Sequence, residues 1–332
     1  VSIASSAPAA LPRGDWLRAA LLVALVAVLL VLPLALGSRP FELRLLTVVF
    51  LYATMGQAWN LLAGYAGQTS LGHGMFFGLG AYASTVAALE ASLNPWLGGA
   101  IGMVVAAGVG TAIGAVCFRL KGHYFVIATL VLAESLNLAF ADWDWVGGAM
   151  GLSLPIEDAS LLAFQFHQDK RPYYYLALVM LALVTGLVVW LDRRKAGHVL
   201  RAIRDDEEVT RSLGFSPLRY KLLAMALSAA IIALCGTFYA QFVLFIDPPS
   251  VLSLQLSVMI ALVTIFGGIG TAAGPIVGAA VLIAISEYAR VWFSGSGRNL
   301  DLMIYGALIM LVAVYRPAGL VSLFGRPRQR GS

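Results

Sequence analysis

The chain has 332 residues, of which 60% are hydrophobic and 12% charged, a composition that cannot be packed into one water-soluble core. It predicts an all-α polytopic membrane protein. The formal charge of +5 sits between apolar runs, where Lys and Arg orient a protein against the cytoplasmic leaflet, and implies no nucleic-acid partner.

A helix crosses the hydrocarbon with about 20 apolar residues. In chain order that rule predicts about ten spans, at residues 17–36, 42–62, 70–89, 97–118, 124–142, 173–191, 220–244, 253–268, 274–292 and 301–316. The run from Leu17 to Leu36 is too long for a signal-peptide core and has no convincing cleavage site behind it, so it reads as a retained span. Residues 1–16 then form a cytoplasmic tail, 17–316 the membrane domain, and 317–332 a basic cytoplasmic tail. With Arg13 and Arg18 inside, alternation puts Arg119, Lys121, the loop 192–219 and Arg326, Arg328 and Arg330 on the cytoplasmic side. Loop 143–172 and its approach carry Asp142, Asp144, Glu157, Asp158 and Asp169 against Lys170 and Arg171, which places that loop outside by the same rule.

Glycines recur four apart as Gly74 and Gly78, Gly98 and Gly102, Gly110 and Gly114, and Gly270, Gly274 and Gly278. That spacing aligns them on one helix face and lets backbones approach closely. The glycine-rich stretches 63–80 and 265–279 also resemble each other, as in transporters built from repeated halves. Cys117 and Cys235 lie in apolar surroundings and read as small hydrophobes.

The polar exceptions inside the spans are candidates for a translocation pathway, because an ionisable side chain at mid-membrane costs about 2.5 to 3.5 kcal/mol. Glu134 and Asn137, three apart, share a helix face expected to point into the protein or a wet cavity. Gln57 and Asn60 share another, and Gln68, Ser70 and His73 follow across a glycine-rich turn. These residues have two uses open to them, lining a route or making interhelical hydrogen bonds worth about 1 kcal/mol each. Glu287 and Arg290 read as a local ion pair.

Thirteen of the chain's charged residues fall between Asp192 and Lys221. A loop needed only for topology wants Lys and Arg, whereas this island also holds the acidic run Asp205, Asp206, Glu207 and Glu208. Asp205 is expected to cap a helix, with Glu208 as its capping-box partner and acids in the first turn. Gly214, followed by Ser216 and Pro217, stops that helix after about eight residues, too few to span a membrane. A short helix with Val209 and Leu213 on one side and charges on the other suits a groove in a soluble partner.

No Gly-Lys dipeptide occurs, hence no Walker A loop. Gly268-Ile-Gly270-Thr-Ala-Ala273 fits a dinucleotide fingerprint but follows a membrane-length run and is read as packing or a turn. His73, His123, His167 and His198 are scattered without metal-ligand spacing. The chain is therefore expected to be neither an enzyme nor a holder of metal or cofactor.

The segment from Asn60 to Tyr82, Asn-Leu-Leu-Ala-Gly-Tyr-Ala-Gly-Gln-Thr-Ser-Leu-Gly-His-Gly-Met-Phe-Phe-Gly-Leu-Gly-Ala-Tyr, resembles the signature of branched-chain amino-acid ABC transporter permeases, specifically the longer M-type subunit. Tyr124 to Glu134, Gly147 to Leu152, Leu200 to Glu208, Tyr220 to Ala224 and Arg316 to Leu320 resemble the same family in the same order. The resemblance implies a ten-span type II importer bundle in the bacterial inner membrane, with both termini cytoplasmic. It further implies a second, H-type permease, two cytoplasmic ATPases that bind ATP with Mg, and a periplasmic substrate-binding protein. Glu208 to Gly214 keeps the Glu and Gly of an EAA-like coupling segment but replaces its alanines. On this reading Arg201, Arg204, Asp205, Asp206, Glu208 and Gly214 form the coupling surface. Permeases for urea and short amides look similar, and an ion-coupled secondary transporter using Glu134 is the reading from another class.

Overall fold

The structure, a computed structural model, describes residues 24, 27–35, 37, 39–120, 122–156, 164–166, 169–293, 306 and 319–323. Its elements are helices α1 (Pro40–Asn60), α2 (His73–Ala91), α3 (Pro95–Cys117), α4 (His123–Asp142), α5 (Arg171–Asp192), α6 (Lys195–Asp205), α7 (Glu207–Ser212), α8 (Pro217–Val243), α9 (Pro248–Val251), α10 (Leu254–Gly267) and α11 (Gly274–Phe293). Five of them start on a proline in the first turn, where the missing N–H has no intrahelical partner to lose. Leu61–Tyr65 continues α1 as a π-helix, and Leu152–Ser153 pairs antiparallel with Phe245–Ile246 as β1 and β2.

Seven described helical stretches are long and apolar enough to cross a membrane: Pro40–Tyr65, Pro95–Cys117, His123–Asp142, Arg171–Asp192, Pro217–Val243, Pro248–Gly267 and Gly274–Trp292. Helix α2 occupies the expected third span and is long enough at 19 residues. It falls outside that set because His73, Glu90 and its glycines lower its mean hydropathy. Of the expected first span, residue 24 and residues 27–35 are described, as helix; of the tenth, only residue 306. Arg13, Arg18, Lys121, Glu157, Asp158, His167, Arg326, Arg328 and Arg330 lie outside the described residues.

Helix α1 is the axis of the bundle, with 83% of its most apolar window buried, and it packs chiefly on α11 and α5. Helix α8 packs on α3 and α2. Contact between α2 and α8 is backbone on backbone: a Cβ on Gly80 would land on the Ala233 carbonyl, and one on Gly236 on the Phe77 carbonyl. On α3 the buried face is the small one, Gly98, Gly102, Ala106, Gly110 and Gly114, while Val104 and Val116 point outward. Without a hydrophobic force between helices in lipid, such close approach supplies the van der Waals contact that holds them. Gly270 departs from its expected helical row. It sits in the turn before α11 at φ +77, where a left-handed backbone favours glycine.

The two ends of the bundle differ. At one, called here the hairpin end, β1 and β2 lie over an aromatic cluster. At the other, the charged island folds as two helices, α6 and α7, rather than as the single short helix in a loop read from sequence.

Candidate functional site

Helix α6 is amphipathic. Ala196, Val199, Leu200 and Ile203 follow the i, i+3, i+4, i+7 pattern of a helix lying on a surface, and Val199, Leu200 and Ile203 are buried. The expected cap moves by one residue: Asp206, not Asp205, accepts from the Glu208 and Val209 amides at 2.9 and 3.0 Å. Asp205 is still the last residue of α6, so its backbone is helical, whereas Asp206 is extended at φ −157, the geometry a cap needs. Helix α7 spans six residues, Glu207–Ser212, and Gly214, at φ +86, turns the chain just beyond it. Val209 and Leu213 are 56% and 70% exposed.

Lys221, at the start of α8, is only 3% exposed and pairs with Glu207 at 2.5 Å. Glu207 also accepts from Arg211 at 3.1 Å. A cavity of about 600 Å³ opens beside them, lined among others by Gln68, Arg119, Asp206, Glu208 and Arg211.

Beneath α6 lie two breaks in the bundle, the π-helical end of α1 with the turn to α2, and the turn from Gly268 to Ala273 between α10 and α11. Asn60 joins them. Its amide donates to the Thr271 carbonyl at 2.9 Å and its oxygen accepts from the Gly270 N–H at 2.8 Å. Gln57 donates to the Ala272 carbonyl at 2.5 Å. A π-turn shifts the backbone register and frees a carbonyl, and Arg204 reaches it, Nη1 donating to the Gly64 oxygen at 2.9 Å. Arg201 lies 5.2 Å over the Tyr65 ring and pairs with Asp192 at 2.7 Å. A Cβ on Gly319 would press on Gly268. Asn60 to Gly67, Arg201 to Arg204, Gly268 to Ala272 and Gly319, far apart in sequence, thus meet at one end.

Of the candidate pathway residues, Gln57, Asn60, Ser70 and His73 are fully buried and bonded within the chain. Ser70 accepts from the Gly72 N–H at 3.1 Å. Ser228 donates to the Ala58 carbonyl at 2.7 Å and contacts His73 Nε2 at 2.9 Å, which assigns the proton of that contact to Nε2. Gln68 is partly exposed and lines the cavity. Glu134 and Asn137, both partly buried, meet at 3.4 Å on the outer helix α4, away from the Asn60 joint. Glu287 and Arg290 pair at 3.1 Å. No group of three or more His, Cys, Asp or Glu among the described residues could hold a metal.

Sequence reasoning missed α6, although its apolar spacing was there to read. It also missed Lys221 as a buried ion-pair partner, which no local pattern marks.

Residues 42–313 match the family described as branched-chain amino acid transport system / permease component. The chain belongs to this family. It is 28% identical over 325 residues to the high-affinity branched-chain amino acid transport system permease protein LivM of Escherichia coli (strain K12), covering 91% of this chain and 74% of that one. A probable branched-chain amino acid transport permease protein LivM of Methanocaldococcus jannaschii is 24% identical, covering 82% and 90%. The permease protein BraD of Pseudomonas aeruginosa, named for the same high-affinity system, is 21% identical, covering 85% and 94%. No solved structure matches the chain. This member of the family has several membrane-spanning helices, and its relatives are named as transport subunits, not enzymes.

Proposed function

We propose that this permease is the M-type subunit of an ATP-driven importer in the bacterial inner membrane, moving branched-chain aliphatic amino acids inward. The family match across residues 42–313 carries that reading, and the exposed, charged helix pair tied into two helix breaks supports it. A second, H-type permease completes the membrane unit, two ATPases bind ATP with Mg at the island end, and a periplasmic protein delivers substrate. The island end and both termini face the cytoplasm, and the hairpin end faces out.

In this mechanism the ATPases grip α7. Asp205, Asp206, Glu208 and Gly214, with the exposed Val209 and Leu213, form the gripped surface, and Arg201 holds α6 to the bundle through Asp192 and Tyr65. Closing of the ATPases on ATP moves α6 and α7, and the joint at Asn60 passes that motion to α1, α10 and α11, shifting the unit between outward-open and inward-open states. Gln68, Glu134 and Asn137, partly exposed, contribute to the route, whose wall is held by Gln57, Asn60, Ser70 and His73. Selectivity rests mainly in the binding protein, since a closed cleft discriminates better than a wide route.

The test is Glu208→Lys in the complex reconstituted in liposomes. ATP hydrolysis should continue while leucine uptake falls at least about tenfold, the scale of removing a charge-assisted contact, with membrane insertion unchanged. Uptake equal to wild type would remove Glu208 from the coupling role.

A further inference from the structure

We infer that Arg204 is a positioning residue that works inward, clamping α6 to the broken end of α1 instead of contacting an ATPase. The inference rests on the proposed coupling role of the island and names which of its charges faces the other way.

Three observations converge on this side chain. First, the Arg204 side chain is 39% exposed, as is that of Arg201, whereas those of Asp205 and Arg211 are 72% and 65% exposed. Its guanidinium is split between Asp205 Oδ1, at 3.2 Å, and the Gly64 carbonyl, at 2.9 Å. Second, the ground it stands on is cleared for it. Gly67 has φ +72, and a Cβ there would come within 2.8 Å of Arg204 Cγ; a Cβ on Gly270, at φ +77, would come within 3.1 Å of Arg204 Nη1. Third, its acceptor is already part of the joint. A Cβ on Gly64 would strike both the Asn60 side-chain oxygen and the Gly270 N–H, so the carbonyl that Arg204 holds belongs to the segment through which Asn60 grips the 270–271 turn.

A guanidinium suits this task because its planar fork serves a carboxylate and a carbonyl together, whereas an ammonium offers one point charge. Any displacement of α6 must therefore either carry the π-helical end of α1 with it or break the Arg204 bond.

The experiment isolates the complex from native membranes, reconstitutes it in liposomes and measures bound ATPase, ATP hydrolysis and leucine uptake for wild type, Arg204→Ala, Arg204→Lys and Gly67→Ala. The expected result is that Arg204→Ala keeps its ATPase subunits and hydrolyses ATP, but leucine moved per ATP falls about tenfold, as for one lost charge-assisted hydrogen bond. Arg204→Lys restores part of that ratio, and Gly67→Ala, which disturbs the clamp from the α1 side with α6 chemically intact, lowers it as well. Loss of the ATPase from Arg204→Ala overturns the inference, since the residue then faces the partner. An unchanged ratio in Arg204→Ala overturns it too, and if that variant does not insert, an unchanged ratio in Gly67→Ala does so. A wild-type complex without ATPase, or without ATP-driven leucine uptake, instead defeats the proposed function itself.

Discussion

The two ends of the bundle are built from different chemistry. At the hairpin end, Tyr173 meets Phe166, Phe238 and Phe242 edge-on at 5.3, 6.0 and 5.1 Å, and Phe164 bridges from Trp96 to Phe238. One hydroxyl anchors the cluster, Tyr173 donating to the Gln241 carbonyl at 2.9 Å. At the island end, single polar contacts join backbone breaks: Asn60 to Gly270 and Thr271, Gln57 to Ala272, Arg204 to Gly64. Aromatic packing spreads its energy over many atoms and tolerates small losses. A joint made of a few directional bonds where helices break off is the kind of element that changes state when one bond is exchanged. On the proposed mechanism, motion enters this molecule at the island end.

The largest expected effect comes from filling the joint. Gly64→Leu drives a side chain into the Asn60 oxygen and the Gly270 N–H, and overpacking at a site with backbone on one side costs about 1 to 3 kcal/mol or more. Membrane fractions should contain little monodisperse protein after size exclusion in detergent. Wild-type yield and elution would show that the joint is looser than described. Next, Asn60→Leu keeps the branching of the side chain but leaves the Gly270 N–H and the Thr271 carbonyl buried without their partner, at about 1 to 3 kcal/mol for each group. The thermal midpoint in detergent should fall by several degrees.

Tyr173→Phe sharpens the contrast from the hairpin end. The ring contacts persist, while the lost hydroxyl leaves the Gln241 carbonyl, at 2.9 Å, and the Phe166 N–H, at 3.3 Å, without it; with one of those two bonds long, the expected cost is about 1 to 2 kcal/mol, below that of Asn60→Leu. If the thermal midpoint instead drops further for Tyr173→Phe, the aromatic end depends on its hydroxyl as much as the joint depends on Asn60, and the distinction between the ends fails.

How much of this was legible follows the range of the forces. Glycine rows on α3 and the spans from Pro40 to Phe293 were readable because membrane length and close helix packing are encoded locally. The polarity of Gln57 and Asn60 was visible as well, but what they bond lies 215 and 211 residues away, and nothing in one sequence specifies that pairing. Glu134 drew attention because a carboxylate in an apolar run is conspicuous, yet it sits on the outer helix beside Asn137. The inward reach of Arg204 was hidden for a further reason: it depends on a π-turn at Leu61–Tyr65, a one-residue change of register that leaves no mark in composition.

The smallest effect concerns the surface of the island, and it separates two adjacent aspartates. Asp206 caps α7 by accepting from the Glu208 and Val209 amides, and removing such a cap costs about 1 kcal/mol, confined to the helix it starts. Asp206→Ala should leave the thermal midpoint of the bundle nearly in place, because the cost stays in the first turn of α7 while Glu207 remains paired with the buried Lys221 of α8. Hydrogen exchange at the Glu208 and Val209 amides should accelerate by about fivefold, the kinetic equivalent of that cost when opening limits protection. Asp205→Ala, which removes a carboxylate bound to Arg204 and not to these amides, should leave their exchange unchanged. Equal acceleration in both variants would mean that α7 is held by the summed negative charge of its first turn, through the helix dipole, and not by the directional bonds of a single cap.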